Sequence, residues 1–487
     1  MKVLKHLLQH VDVIQVIGDD DMKIRAISFS SGAVQQNDVF VAQRGSVVDG
    51  HKYIDDAIKK GALVIVCEIL PEIVLDHIVY VQVGDSSQAL AILAANYYEN
   101  PSRKLKLVGV TGTNGKTTIA TLLYNLYRDA GFKVGLLSTI KIMVDSASYD
   151  TSHTTPDSLT INKYLSLMVE KGCEYCFMEV SSHGIHQKRT VGLTFEGGVF
   201  TNLTHDHLDY HNTFKEYRDT KKIFFDQLPK SAFSLVNADD KNGLFMLQNT
   251  KSKKYTYALK TLADYKGKIL ESSFSGMLLT MNRHEIWSKL IGQFNGYNLL
   301  AIFGVTQLLG MEELEGLKLI SNLDSVSGRF QHEVSASGIT VIVDYAHTPD
   351  ALKNVLQTIA AIRTGKENVL TVVGCGGDRD KSKRPKMGAI AARLSDQVIF
   401  TSDNPRTEDP SVIIEEIEAG VEGQDVNKTL VIADRKQAIK AACKMAVKGD
   451  IILIAGKGHE NYQDINGVKS HFDDFETVTE LLNQLEK

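Results

Sequence analysis

No run of 18 apolar residues occurs in this 487-residue chain, which argues against a membrane-spanning helix. The opening stretch, MKVLKHLLQH, is broken by charged and polar side chains and lacks the apolar region of a secretory signal, so a cytoplasmic protein is expected. Cysteine is sparse. Cys67, Cys173, Cys176, Cys375 and Cys443 form an odd, scattered set that suits reduced thiols. The close pair Cys173 and Cys176 lies in a strand-like run with no second pair, and reads as core packing. Long basic blocks are missing as well: 54 Lys and Arg against 59 Asp and Glu give a net charge of −5, spread along the chain, which leaves no extended footprint for nucleic acid. There is no low-complexity segment and no repeat array.

What is present is a glycine-rich turn ending in Lys-Thr, GVTGTNGKTT at 109–118, between a strand-like run at 105–110 and a helical pattern at 117–129. Gly112 and Gly115 would let backbone N–H groups of Thr113, Asn114 and Thr118 approach phosphates. Lys116 would reach the β and γ oxygens, and the Thr117 hydroxyl would sit on Mg²⁺. The usual G-x-x-x-x-G-K-[ST] template needs glycine at 110. Val110 stands there, so this is a variant loop for a nucleoside triphosphate.

The length predicts three domains, an α/β fold throughout. Residues 1–101 read as a small α/β N-terminal domain, and Asn100-Pro101 as a hinge. Residues 102–327 alternate strand and helix, as in a P-loop ATPase-like parallel sheet. Residues 328–487, with apolar runs at 339–343, 369–373, 397–401, 429–432 and 451–454, predict a C-terminal Rossmann-like sheet. The loop GCGGDR at 374–379 begins like a dinucleotide fingerprint but has Arg379 where the last glycine belongs.

Glu179 ends a buried strand in MEVSSH (178–183) and is the natural Mg²⁺ ligand beside the phosphate loop. THDHLDYH (204–211) invites a zinc reading, but Tyr210 interrupts H-x-H-x-D-H and no cysteine is near. HENYQ (459–463) lacks the second histidine of H-E-x-x-H, and NKTL (427–430) lacks the aspartate of a guanine-specific loop, which favours adenine. On its own, YRDTKKIFF (217–225) reads as a helix with exposed lysines.

Together TGTNGKT (111–117), EVSSH (179–183), NLTHDHLD (202–209), DYAHTP (344–349) and GKGHE (456–460) stand in the order of the Mur ligases, and nearly the whole chain resembles that family. The match is nearest to the branch that adds a diamino acid to a cell-wall precursor. The resemblance implies that Lys221 is carbamylated and binds Mg²⁺ with Glu179, His207 and Thr117, so that Lys116, Glu179, His207 and Lys221 carry the catalysis. It assigns Asn295 and Asn298 to the adenine side, and Arg329 and Asp344 to the phosphates and ribose. Thr154, Thr155, Ser181, Gln187 and Arg189 would hold UDP-N-acetylmuramoyl-L-alanyl-D-glutamate, with its uridine on the N-terminal domain near Ser28 and Ser30. Arg379, Asp403, Asn404, Pro405, Arg406, Gly456 and Glu460 would receive the incoming amino acid. An arginine fork at Arg406 suits the extra carboxylate of meso-diaminopimelate, whereas the bare ammonium of lysine would be repelled. The implied enzyme is a monomeric, ATP- and Mg²⁺-dependent amide ligase acting through an acyl phosphate. A lysine-adding or folylpolyglutamate-type ligase and a P-loop regulatory ATPase are the competing readings.

Overall fold

Among the described residues, three sheets of five or more strands follow one another along the chain. The computed structural model describes every residue except Ser46, Val47, Ser152, His205, Leu208 and Asp209; three of these belong to the histidine-rich motif, whose His205, Leu208 and Asp209 therefore lie outside the described residues. The first sheet has the order Val13–Ile17, Val79–Val83, Ala62–Cys67, Asp38–Val41, Ile27–Ser28. All but its antiparallel first pair are parallel. Asn100 takes φ +51° just before Pro101, the break in chain direction expected of that dipeptide.

The central sheet runs Val134–Leu137, Tyr175–Glu179, Lys106–Thr111, Gly197–Phe200, Phe233–Asn237, Lys253–Ala258, all parallel. Helices cover both faces, so these strands are apolar on both sides and read as continuous hydrophobic runs. The carboxyl end of Lys106–Thr111 lies between those of Tyr175–Glu179 and Gly197–Phe200, which brings their following loops together in the crevice where such sheets bind ligands. Further strands extend both edges: antiparallel Ile142–Val144 and Ala147–Tyr149 on one, and on the other Tyr265–Ser273, parallel to Lys253–Ala258, followed by antiparallel Gly276–Met281 and His284–Ser288. Cys173 and Cys176 are buried in the second of the two central hydrophobic clusters, as core packing requires.

The third sheet has the order Gln331–Val334, Thr340–Asp344, Ile451–Ala455, Val369–Val373, Gln397–Phe400, Thr429–Val431, parallel except for its first strand. Its carboxyl edge carries the loops at 345–348, 374–379, 401–406 and 456–460. A buried ion pair braces two of them. Arg435 donates from Nε and Nη2 to both carboxylate oxygens of Asp474 at 2.7 Å, and also reaches the carbonyls of Ser402 and Ala455. Among the described residues, no helix is long and apolar enough to cross a membrane.

Candidate active site

Val110 is fully buried inside the strand Lys106–Thr111, so the phosphate loop opens two residues later, at Gly112. Gly112 has φ +146°, and a Cβ there would sit 1.9 Å from Thr201 Oγ1. Gly115 has φ +89°, and a Cβ there would sit 2.7 Å from Asn298 Oδ1. Only glycine fits either place. The helix Lys116–Asp129 begins directly after Gly115 with no side-chain cap, leaving its first N–H groups for an anion. Thr113 N and Asn114 N are instead used to tie the loop to Asn202. Lys116 Nζ rests on the carbonyls of Gly112 (3.0 Å) and Thr113 (2.8 Å). Burial drives its pKa down while Glu179 and Asp206 pull it back up.

Glu179 is fully buried at its strand end. It accepts from Thr117 Oγ1 (3.0 Å), Thr139 N (2.7 Å) and Thr139 Oγ1 (3.2 Å), and the Thr154 hydroxyl lies 3.1 Å from Thr139 Oγ1. Thr117 and Glu179 offer hard oxygen donors side by side, which is what Mg²⁺ takes. Lys221, on the helix Phe214–Asp226, is buried and donates to Gly112 O at 2.9 Å. Its burial and the charge of Lys116 push its pKa well below that of a free lysine. An ammonium would repel a dication, so Lys221 fits a metal site only as its carbamate, and a neutral amine is the form that reacts with CO₂. His207, at φ +55°, packs its ring edge-on to His183 at 5.0 Å. Burial pushes its pKa to about 3, with the charges of Lys116, His183 and Lys221 acting the same way against Asp206. It is a neutral imidazole, able to act as a ligand.

The dipeptide-side residues form a connected set. Thr155 Oγ1 donates to Glu179 O (2.9 Å) and accepts from Ser181 N (2.9 Å). Arg189 donates to Thr155 O (2.5 Å) and, from Nε and Nη2, to Gln187 Oε1. The Gln187 amide nitrogen then donates to Tyr210 Oη at 3.1 Å. Lys188, between Gln187 and Arg189, takes φ +57° and pairs with Asp85, the cap of the helix Ser86–Tyr97 on the first sheet. Ser28 and Ser30 make a local turn in which Ser28 Oγ donates to Ser30 O and accepts from Ser30 N.

A cavity of about 850 Å³ separates the central and third sheets; Lys116, Thr117, Glu179, Asn298, Arg329 and Asp344 are among the residues that line it. Asn295 and Asn298 lie in the first turns of the helix Gln293–Leu308, where Asn298 Nδ2 donates to Asn295 Oδ1 (3.1 Å). Arg329 stacks over the Tyr345 ring at 4.5 Å and donates to Thr117 Oγ1 at 3.1 Å. Asp344 accepts from Phe330 N (2.7 Å); burial, against the pull of Arg329, lifts its pKa to about 6.

On the carboxyl edge of the third sheet, the loops at 374–379 and 403–406 pack back to back. A Cβ on Gly377 would sit 1.9 Å from Pro405 O. Arg406 has φ +52° and donates from Nη1 to Gly377 O (2.7 Å), while its backbone pairs with Asp464 and Asn466 of the hairpin Tyr462–Ile465 and Val468–His471. Asn404 Nδ2 donates to Glu460 Oε2 at 2.7 Å. Asp403 and Asn404 are buried, Arg379 is exposed at the rim, and Gly456 (φ +119°) lies under Asp403. Beneath them Arg384, wholly buried, donates to Glu408, Glu416 and Gly376 O. Sequence reasoning passed over Arg384, Asp206, Tyr210 and Lys457. The last three stand inside motifs it had quoted, which was the available signal.

The sequence matches three family profiles: the Mur ligase middle domain at residues 110–306, the Mur ligase glutamate ligase domain at 328–458, and the Mur ligase family catalytic domain at 23–98. The UDP-N-acetylmuramoyl-L-alanyl-D-glutamate–2,6-diaminopimelate ligase of Bacteroides thetaiotaomicron is 55% identical over 481 residues, 99% of this chain and 100% of that protein. The ligase of the same name from Clostridioides difficile is 41% identical, covering 99% and 100%. A solved structure of a UDP-N-acetylmuramoyl-L-alanyl-D-glutamate–2,6-diaminopimelate ligase superposes with a TM-score of 0.71 at 30% identity, covering 100% of this chain and 99% of that one. With profiles matched across all three sheets and relatives aligned from end to end, the chain belongs to the Mur ligase family.

Proposed function

We propose that the protein joins meso-2,6-diaminopimelate to UDP-N-acetylmuramoyl-L-alanyl-D-glutamate at the expense of ATP, a step of peptidoglycan precursor synthesis. The observation that carries the acceptor choice is that one loop presents both charges: Arg406 is held by Gly377 O, and two residues before it Asn404 donates to Glu460. An acceptor whose far end bears both a carboxylate and an ammonium needs a cation and an anion at that spot, and lysine would leave the arginine unmatched.

Three units share the work: residues 1–101 for the uridine diphosphate, 102–327 for ATP and catalysis, and 328–487 for the amino acid. Thr117, Glu179, His207 and carbamylated Lys221 would hold Mg²⁺, which when bound neutralises charge on the phosphates. Helix N–H groups and Lys116 grip the β and γ phosphates. Arg189, Gln187, Ser181, Thr154 and Thr155 orient the dipeptide so that its D-glutamyl carboxylate oxygen attacks the γ-phosphorus and ADP leaves. Arg406, Glu460, Asn404 and Arg379 hold the diaminopimelate amine towards the acyl phosphate. The amine nitrogen attacks the acyl carbon, phosphate departs, the nitrogen loses a proton, and an amide remains. Closure of the third sheet over the central one keeps water from hydrolysing the acyl phosphate.

The test is phosphate release from ATP in the presence of the UDP-linked dipeptide, with meso-diaminopimelate, L-lysine or no acceptor. Release that depends on meso-diaminopimelate is expected. Release indifferent to any acceptor would indicate a P-loop ATPase, and a preference for lysine would overturn the role given to Arg406. Arg406→Ala should raise the KM for diaminopimelate roughly 10- to 100-fold, the worth of a charged hydrogen bond, and leave the KM for ATP in place.

A further inference from the structure

An ammonium that the chemistry above does not use lies under the acceptor pocket. Lys457 is fully buried, and its Nζ lies 3.3 Å from Asn404 Oδ1 and 3.4 Å from Glu460 Oε2, and donates to the Tyr462 carbonyl. Lysine is almost never buried this completely unless it is paired. Gly456 and Gly458, both at positive φ, flank it in the tight turn that leaves the strand Ile451–Ala455.

These contacts decide which way Asn404 faces. Its Oδ1 accepts from Lys457 Nζ and from Asp464 N (2.9 Å), so its amide nitrogen is left to donate to Glu460 Oε2. A flipped amide would set NH₂ against two donors and its oxygen against a carboxylate. We infer that Lys457 is a positioning residue for the acceptor amino acid, locking the Asn404 amide and the Glu460 carboxylate into one arrangement; this rests on the assignment of the pocket to that substrate.

Charge adds a second consequence. Glu460 is faced by Asp403 and Asn404 from the loop after Gln397–Phe400, by Lys457 on its own turn, by Tyr345 after Thr340–Asp344, by Arg435 at the head of its helix and by Tyr462 of the hairpin. Burial and Asp403 push the Glu460 carboxyl up, and Lys457 and Asn404 pull it down. Without the ammonium, two carboxylates share a buried site, and Glu460 holds its proton to higher pH. A protonated Glu460 binds an ammonium poorly.

The experiment uses the full-length protein with ATP, the UDP-linked dipeptide and meso-diaminopimelate, comparing wild type with Lys457→Met and Lys457→Arg. Lys457→Met is expected to raise the KM for diaminopimelate about tenfold or more, with the other two KM values within about twofold. The acid limb of kcat/KM for diaminopimelate should move to higher pH, and Lys457→Arg, which keeps the charge, should recover most of the loss. If Lys457→Met does not fold, Lys457→Gln makes the same comparison. An unchanged KM for diaminopimelate, an equal rise in all three, or an unmoved acid limb overturns the role of Lys457 and leaves the acceptor reading standing. A wild type whose phosphate release ignores meso-diaminopimelate overturns both.

Discussion

Arg329 reaches from the start of the third sheet to the phosphate loop, donating to the Thr117 hydroxyl at 3.1 Å while its guanidinium lies over the Tyr345 ring. The residue thus ties the proposed amino-acid-binding unit to the threonine that also donates to Glu179. A cation held there is in place before any charge builds on a transferring phosphoryl group, and needs no reorganisation when it does.

Arg329→Ala is therefore expected to lower kcat by roughly 10²-fold, the usual cost of removing one preorganised donor from a developing charge, with a smaller change in the KM for the UDP-linked dipeptide. Steady-state kinetics with each substrate varied in turn checks this. A loss seen only in that dipeptide KM would count against the assignment.

Lys221 gives a chemical prediction. Its amine is buried beside Lys116 and tends towards the neutral form, and carbamylation would turn it into a carboxylate-like ligand. Native mass spectrometry or a density map should find one CO₂ on Lys221. Lys221→Arg, which stays cationic and cannot form the carbamate, should lose activity by about 10² or more, in line with a misassembled phosphoryl-transfer site. An unmodified Lys221 in a fully active enzyme would remove the residue from the metal set.

How much of this was legible in the sequence depended on whether the signal was local. The phosphate loop and Glu179 could be read because glycine, lysine and a strand-end acid stand next to buried apolar runs. The edge strands Tyr265–Ser273, Gly276–Met281 and His284–Ser288 were missed: the first is mostly solvent-facing and polar, with none of the continuous apolar character of the buried central strands. The hairpin at 462–471 was missed although its Asn466-Gly467 turn, both residues at positive φ, is a strong local sign. Arg384 could not have been found. It stands in KSKRPK, which looks like a solvated basic face, and its burial depends on Glu408 and Glu416, 24 and 32 residues further on.

Asp344 predicts a pH dependence of stability. Its pKa of about 6 in the fold exceeds the ordinary carboxyl value of 3.8, so between those values the folded state binds the proton and the unfolded state does not. Its contribution to stability is then greatest at low pH and is lost as pH rises through 6. The full shift corresponds to about 3 kcal/mol; because Asp344 faces the cavity, solvent screens part of it, and about 1–2 kcal/mol is expected. Thermal unfolding of wild type and Asp344→Asn at pH 4.5 and 7 should show the variant gaining relative stability at the higher pH. Parallel curves would mean that Asp344 does not titrate in this range.

Asp474 offers a test of how the acceptor loops are held. Its carboxylate and the Arg435 guanidinium are both fully buried, and Arg435 also donates to the carbonyls of Ser402 and Ala455, the strand ends that lead into the loops at 403–406 and 456–460. Asp474→Ala strands a buried guanidinium and should cost about 3–5 kcal/mol. Because the freed arginine can no longer hold both strand ends, the KM for diaminopimelate should rise in any fraction that folds, while the KM for ATP, whose phosphate loop stands on the central sheet, should change less. Calorimetry and substrate-by-substrate kinetics on the same preparation separate the two effects. A variant that loses stability but keeps its KM for diaminopimelate would show that the ion pair braces the sheet without shaping the pocket.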